Sequence, residues 1–189
     1  MKNPELITAD YLNSWPDSDA RDAQENFPRL IRRLLHETPG ISEVSVRAGN
    51  GVNVPGYDGV AQSDEPVSVL PSGSLIFEFG TDKKIASKAS EDFHKRAKQN
   101  DAASHVFVFA TPRRWSDKDK WLEERRSEEK FANVWALDAD DLEAWLETSP
   151  SSHYWISEHL GKQPDKAQTL DQWWGSFHQA THPELPLSM

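Results

Sequence analysis

The spacing of hydrophobic and polar residues predicts two helices at the start of the chain. Residues 8–15 have the pattern of a short helix with Thr8 as its N-cap, and residues 17–36 that of a longer helix. In the longer helix apolar side chains recur every three or four residues, which is the period of a helix face buried against a core. Pro28 lies within it and predicts a break or kink near Asn26, because proline has no amide hydrogen to donate.

The following segments have the features of strands separated by turns. Strands are predicted over residues 41–48, 57–61 and 74–79, with residues 68–70 as an extension of the hairpin. In the third strand the odd-numbered residues are all apolar and share one face, whereas Ile76 and Glu78 share the other.

Helical and strand patterns alternate through the next part of the chain. The predicted elements are a helix over residues 83–99, a strand over 105–110, a helix over 116–130, a strand over 132–137, and a helix capped by Asp138. The apolar run that ends at residue 110 is typical of a strand buried on both faces. The order α-β-β-β-α-β, followed by α-β-α, predicts an α/β fold.

The chain changes character after residue 148. Residues 1–148 are predicted to form one domain, and residues 149–189 a helical extension towards a missing C-terminal region. The extension contains the adjacent pair Trp173 and Trp174. Two interpretations remain open: these rings dock onto the same domain, or they contact a further part of the chain or a partner.

Composition restricts the class of protein. Hydrophobic residues make up 37% and charged residues 28% of 189 residues, and eight Trp with eight Phe argue against a disordered chain. No apolar run approaches the roughly 20 residues that a membrane-spanning helix needs. The absence of Cys excludes disulfides and thiolate metal sites. We therefore expect a cytoplasmic protein with no membrane contact.

The net charge neither favours nor excludes a nucleic-acid partner. The formal charge is −10, and residues 131–189 account for most of it with nine acids and two Lys. Phosphate contacts require Lys and Arg, and residues 83–98 supply six of them against two acids.

Two carboxylates carry the candidate chemistry. Asp58 lies at the start of the second predicted strand and Glu78 on the third, so antiparallel pairing would bring them to one sheet edge. One or two carboxylates with water are the usual protein ligands of Mg²⁺, and Mn²⁺ accepts the same donors. The alternatives are that Asp58 is a turn residue and that Glu78 forms a salt bridge with the following helix.

These residues resemble the PD-(D/E)xK, or restriction-endonuclease-like, nuclease superfamily. The local sequence also resembles N-terminal effector domains of large bacterial antiphage-defence NTPase proteins. The segments that carry this resemblance are residues 56–59, 71–73, 77–81, 88–96, 111–115 and 137–146. The resemblance implies a mixed central sheet flanked by helices and a magnesium-dependent endonuclease that cuts double-stranded DNA. It also implies further domains in a larger chain and a homo-oligomer. Asp58 and Glu78 would bind the metal.

The chain departs from the superfamily pattern at two positions. Tyr57 stands where the pattern has Pro, and Gly80 stands where it has Lys, two residues after Glu78. Some members of the superfamily supply this Lys from the next helix, which here offers Lys83, Lys84 and Lys88. Lys88 is the predicted catalytic residue, because it lies about 60° from the apolar stripe of that helix and so borders the sheet. The competing hypothesis is a catalytically inactive nuclease-fold module for oligomerisation or partner binding.

Other charged residues are secondary candidates. Asp92 and Arg96 have the i, i+4 spacing of an ion pair that braces the helix, or of residues that support the metal site. Glu25 would complete the metal site or remain a solvated side chain. The Arg residues considered for phosphate contact are Arg47, Arg113 and Arg114.

Motifs of other enzyme classes are missing from the sequence. His178 and His182 are spaced i, i+4, but Pro183 disfavours a helix there and no Glu follows His178, so we do not expect a zinc site. The chain has no P-loop, nucleophile elbow or dinucleotide-binding glycine motif.

Overall fold

The computed structural model describes residues 7–48, 56–162 and 170–181, without the side chains of residues 171, 172 and 181. Seven α-helices and five strands lie in these ranges. In chain order they are α1 Ala9–Ser18, α2 Ala20–Glu37, β1 Ile41–Val46, β2 Gly59–Ser63, β3 Gly73–Phe79, α3 Ile85–Arg96, β4 Val106–Ala110, α4 Lys118–Arg126, β5 Asn133–Leu137, α5 Ala139–Glu147, α6 Pro150–His159 and α7 Leu170–Thr181.

The five strands form one mixed sheet in the order β1-β2-β3-β4-β5. The first three strands are antiparallel neighbours, and β3, β4 and β5 run parallel. A parallel connection needs a crossover, and α3 and α4 provide the two that this sheet contains.

Helices cover both faces of the sheet because β3 and β4 are apolar on both sides. One core contains Phe77, with Phe27 and Trp145 from the helices α2 and α5. The other core contains Ile76, with Phe93 of α3 and Trp121 of α4. Burying large apolar side chains of this kind stabilises a fold by about 1.5–3 kcal/mol each.

Most elements predicted from the sequence pattern are confirmed, with shifts of a few residues at their ends. The α/β class, the element order and the full burial of β4 agree with the prediction. Asp138 caps α5 through a reciprocal capping box with Asp141. The N-caps of α1 and α4 differ from the prediction. Thr8 makes no side-chain hydrogen bond to the start of α1, and the N-cap of α4 is Asp117 rather than Ser116.

Of the break or kink predicted near Asn26, the break is wrong. Helix α2 runs without interruption from Ala20 to Glu37 with Pro28 inside it. Proline in a helix costs about 3 kcal/mol or more. Ala23 and Phe27 before Pro28, and Leu30, Ile31, Leu34 and Leu35 after it, are fully buried. Tertiary packing therefore holds the helix together where the local signal favours a break.

The aromatic side chains of α7 are not buried against the domain. Trp173, Trp174 and Phe177 are each about half exposed and stack on one another. Residues 163–169 and 182–189 of the predicted extension lie outside the described ranges. None of the described helices combines the length and apolar character needed to cross a bilayer.

Candidate active site

A cavity of about 420 Å³ lies at the carboxyl end of β3, between α2 and α3. It brings together the three residues predicted to carry the chemistry: Asp58, Glu78 and Lys88. Its lining comprises Gln24, Phe27, Pro28, Gly56, Asp58, Glu78, Phe79, Gly80, Thr81, Asp82, Lys88, Asp92, Lys95 and Arg96.

Asp58 reaches the cavity because of the register of β2 against β3. Gly59 pairs with Phe77, so the antiparallel register places Asp58 opposite Glu78. Its Oδ2 accepts a hydrogen bond of 3.0 Å from the backbone N–H of Phe79. The Asp58 side chain therefore bonds the strand that carries Glu78, and it does so at the end where β3 opens into the cavity.

Glu78 is a buried carboxylate with a buried partner. Its side chain is 3% exposed, and Oε1 accepts a hydrogen bond from Nε of Arg96, whose side chain is 5% exposed. Nη2 of Arg96 donates to the backbone oxygen of Gly56, and the guanidinium lies 5.1 Å from the ring centroid of Tyr57. The salt-bridge alternative for Glu78 is therefore realised, with Arg96 of α3 as the partner.

The carboxylates of the cavity repel one another. Burial raises the pKa of Glu78 to about 7; Arg96 opposes this shift, and the nearby charge of Asp58 adds to it. Burial also raises the pKa of Asp58 against the Phe79 N–H bond, and the charge of Asp92 contributes. Burial is likewise the largest cause of the raised pKa of Asp92. A cation bound between these groups would relieve the repulsion.

The stem of Lys88 lies over Gly80, two residues after Glu78. A Cβ built at Gly80 would be 3.2 Å from Cγ of Lys88 and 2.6 Å from Cζ of Phe109. The second distance is too short for a real contact, and the first is tight. Gly80 thus leaves the space through which the stem of Lys88 crosses the end of β3.

The ammonium of Lys88 is held by Asp92. Nζ of Lys88 lies 3.0 Å from Oδ1 of Asp92, and both residues line the cavity. Burial lowers the pKa of Lys88, but the hydrogen bond and charge of Asp92 outweigh it, so the net pKa is raised. Lys88 is therefore positively charged near neutral pH.

The oxygen donors at the cavity are carboxylates, which are ligands of the kind that Mg²⁺ takes. Among the described residues no group of three or more His, Cys, Asp or Glu side chains is arranged to hold a metal ion. Structural and catalytic zinc sites use three or four such ligands. Mg²⁺ is usually held by one or two carboxylates and keeps several waters, which agrees with Asp58 and Glu78 on one cavity wall.

The other two candidate lysines do not line the cavity, and the expected Asp92–Arg96 ion pair does not form. Lys83 forms an ion pair with Asp17, and Lys83 and Lys84 line neighbouring grooves rather than the cavity. The expected pairing of Asp92 with Arg96 is wrong in its partners, because Asp92 binds Lys88 and Arg96 binds Glu78. Arg96 turns towards β3, where the most buried carboxylate of the sheet lies.

The secondary candidates are mostly engaged in surface ion pairs. Glu25 binds Arg21 and is absent from the cavity lining. Arg113 binds Asp17 and the backbone oxygen of Thr81, and Arg114 binds Asp10 and Asp140. The guanidinium of Arg47 lies beside Gly56 at the cavity. His178 is exposed on α7, and His182 lies outside the described residues.

Sequence reasoning missed the contribution of α2 and the bridging role of Arg96. Phe27 and Pro28 form the wall opposite α3, and Arg96 links β3 to Gly56 in the segment before β2. The signal for Arg96 was present in the sequence. It lies on the sheet-facing stripe of α3, and a buried Glu on the adjacent strand is its natural partner.

Comparison with known proteins adds no relative from which function can be transferred. No protein-family model, curated protein or solved structure matches this chain. The cavity and its side chains are therefore the features from which a function can be inferred.

Proposed function

We propose that this chain is a magnesium-dependent endonuclease domain of the PD-(D/E)xK kind that hydrolyses phosphodiester bonds in double-stranded DNA. The observation that carries the proposal is the arrangement at the end of β3. Asp58 and Glu78 lie opposite each other in register, and Lys88 crosses the space that Gly80 leaves open.

The topology supports the same proposal. A helix, three antiparallel strands, a helix and a parallel strand follow one another in the order that the superfamily resemblance implies. In α/β sheets, sites commonly form outside the carboxyl ends of strands. The cavity lies at that end of β3, the strand at which the sheet changes from antiparallel to parallel pairing.

Asp58 and Glu78 are the residues that would hold the ion. When bound, Mg²⁺ would lower the pKa of a coordinated water and neutralise negative charge on the phosphate. Arg96 fixes the Glu78 carboxylate at one oxygen, and the Phe79 N–H fixes that of Asp58. Each carboxylate keeps a second oxygen for the ion, and the protein contacts preset their orientation.

Lys88 supplies positive charge to the phosphate. In the hydrolysis, a water oxygen bonds to phosphorus, the bond from phosphorus to the leaving ester oxygen breaks, and that oxygen ends with a proton. Negative charge on the non-bridging oxygens of the transition state is stabilised by a fixed ammonium in a partly buried cavity. Lys88 meets this requirement because Asp92 keeps it charged and the end of β3 supports its stem.

The resemblance also supports a place for this domain in a larger protein. We propose that it is the effector of a bacterial antiphage-defence protein that assembles as a homo-oligomer. The exposed aromatic rings of α7 are consistent with a further contact made by residues 149–189.

A second candidate function is a catalytically inactive module that keeps the nuclease fold for oligomerisation or partner binding. The observation that favours it is that each charged side chain of the predicted site already has at least one protein partner. Glu78 binds Arg96, Lys88 binds Asp92, and Asp58 binds the Phe79 N–H. Ion pairs of this kind stabilise a domain without any catalytic role.

Plasmid cleavage with Mg²⁺ or Mn²⁺ separates the two candidates. The wild-type chain is compared with Asp58→Asn, Glu78→Gln and Lys88→Ala. Glu25→Gln is the matched control, because it removes a carboxylate of α2 that lies outside the cavity. Removing a single group of this kind from an active site commonly reduces the rate by about 100-fold or more.

The nuclease proposal expects cutting by the wild type and by Glu25→Gln, and its loss in the three cavity variants. Undiminished cutting by Glu78→Gln would contradict it. A wild type that neither cuts DNA nor binds Mn²⁺ would favour the inactive module.

A further inference from the structure

Asp92 is the most unusual ion-pair partner in the cavity. Its side chain is 4% exposed, whereas that of Lys88 is 35% exposed, although both belong to an ordinary i, i+4 pair. The corresponding pair on α2, Arg21 and Glu25, leaves 87% and 39% of its side chains exposed. Burying a carboxylate is costly unless its hydrogen bonds are satisfied.

Within the described part of the chain, only one of the two Asp92 oxygens has a hydrogen-bond partner. Oδ1 accepts from Nζ of Lys88, whereas Oδ2 is buried and receives no hydrogen bond from any described residue. A buried acceptor without a donor costs roughly 1–3 kcal/mol. Because Asp92 lines the cavity, the missing donor can come from whatever binds there.

Lys88 is fixed at two points. Its stem passes over Gly80, and its ammonium ends on Asp92. The side chain of an unpaired Lys is a flexible four-carbon stem, so its ammonium has no fixed position in solvent. Asp92 therefore fixes the position of the Lys88 ammonium at the cavity.

The geometry points to Asp92 as the positioning residue of this site. Oδ1 holds the Lys88 ammonium against the phosphate position, and Oδ2 accepts a hydrogen bond from a water or hydroxyl donor that enters with the substrate. This inference rests on the proposed nuclease function. It assigns Asp92 no contact with the ion, which Asp58 and Glu78 hold.

Cleavage kinetics and ion binding test this role together. The variants are Asp92→Asn, which can still accept from Lys88 but replaces one oxygen by a donor, and Asp92→Ala, which removes both. Glu91→Gln is the matched control, because Glu91 is the adjacent acid of α3 and lies outside the cavity lining. Thermal unfolding confirms the fold of each variant.

We expect Asp92→Ala to lower kcat by about 100-fold with little change in KM, since a misplaced catalytic group costs this order of rate. Asp92→Asn should lose less, and Glu91→Gln nothing. The Mn²⁺ dissociation constant, measured by calorimetry, should stay at the wild-type value in Asp92→Asn and rise in Asp58→Asn.

A double-mutant cycle shows whether Asp92 acts through Lys88. In the Lys88→Ala background, Asp92→Ala should cause no further loss, because interacting groups are not additive. Asp92→Glu provides a second variant with the charge kept and displaced by one methylene, and it should also lower kcat.

Three results would overturn the inference. If Asp92→Ala keeps full activity while Lys88→Ala is inactive, Asp92 has no positioning role. If the double variant loses the product of the two single-variant rate losses, Asp92 acts independently of Lys88. Weakened Mn²⁺ binding by Asp92→Asn would make it an ion ligand instead. In each of these cases the wild type still cuts, whereas a wild type that does not cut overturns the nuclease proposal itself.

Discussion

Cγ of Lys88 lies 3.2 Å from the point at which a Cβ of residue 80 would sit, and residue 80 is a glycine. The space beside residue 80 is thus occupied by the stem of a Lys from α3. A side chain at residue 80 would crowd the stem of Lys88 and, more severely, the ring of Phe109, whose Cζ would lie 2.6 Å from the added Cβ.

Restoring a side chain at residue 80 should therefore harm the protein. We expect Gly80→Ala to lower the free energy of unfolding by about 1–3 kcal/mol, the usual cost of overpacking, because its Cβ meets the Phe109 ring. Gly80→Lys should cost more and fail to raise the cleavage rate. Urea unfolding measures the stability of both variants.

The control for this prediction is Gly175→Ala, on α7, where an added Cβ meets no atom within 4 Å. It should leave stability unchanged or raise it slightly, since alanine favours a helix by up to about 1 kcal/mol over glycine. Equal stability of Gly80→Ala and wild type would contradict the crowding argument.

Loss of Arg96 should destabilise the fold strongly at alkaline pH. Arg96→Met leaves Glu78 buried without its partner, and breaking a buried ion pair costs about 3–5 kcal/mol. Arg96→Lys should recover only part of this, because a single ammonium does not reproduce the planar fork that spans Glu78 and Gly56. Chemical denaturation near pH 8 provides the measurement.

Arg21→Ala is the comparison for Arg96, since it removes an exposed i, i+4 pair worth under about 1 kcal/mol. The loss in Arg96→Met should shrink near pH 5, where Glu78 takes up a proton and is no longer an unpaired charge. A loss no greater than that of Arg21→Ala would show that the buried pair contributes little.

The raised pKa of Glu78 should appear in the pH dependence of stability. Its pKa is raised from 4.5 to about 7, chiefly by burial, so the folded chain keeps a proton that the unfolded chain has released. The stabilisation is complete below pH 4.5 and is lost as the pH rises through about 7, a change on the order of 3 kcal/mol.

Glu78→Gln cannot titrate at this position and should lose that part of the dependence. The wild type should therefore become less stable relative to Glu78→Gln as the pH rises from about 5 to about 7. Thermal unfolding in a series of buffers without divalent ions gives the comparison. Parallel profiles of the wild type and Glu78→Gln would disprove the raised pKa.

Contacts with the phosphate backbone should make binding depend on salt. Lys95 lines the cavity and is exposed, so Lys95→Ala should weaken duplex binding at all sequences and reduce the slope of log K against log salt by about 1. The measurement uses the Asp58→Asn background to prevent cleavage. Lys120→Ala is the control, because Lys120 lies on the exposed surface of α4, and it should leave the slope unchanged. An unchanged slope in Lys95→Ala would show that Lys95 does not contact the phosphate backbone.

The sequence determined the parts of the structure that depend on local patterns. Alternation along β3 put Ile76 and Glu78 on one face and the odd-numbered aromatic residues on the other, and this is confirmed by the two cores. The choice of Lys88 over Lys83 and Lys84 followed from helix geometry, and of these three only Lys88 lines the cavity.

Tertiary structure decided the partners of the charged groups. Spacing within α3 suggested Asp92 with Arg96, but Arg96 binds Glu78, 18 residues away, and Asp92 binds Lys88. The same applies to Pro28, where local chemistry predicts a break and burial of Phe27 and Leu30 maintains the helix. Periodicity is a property of neighbouring residues, whereas the desolvation and repulsion that choose an ion partner arise only when distant strands and helices meet.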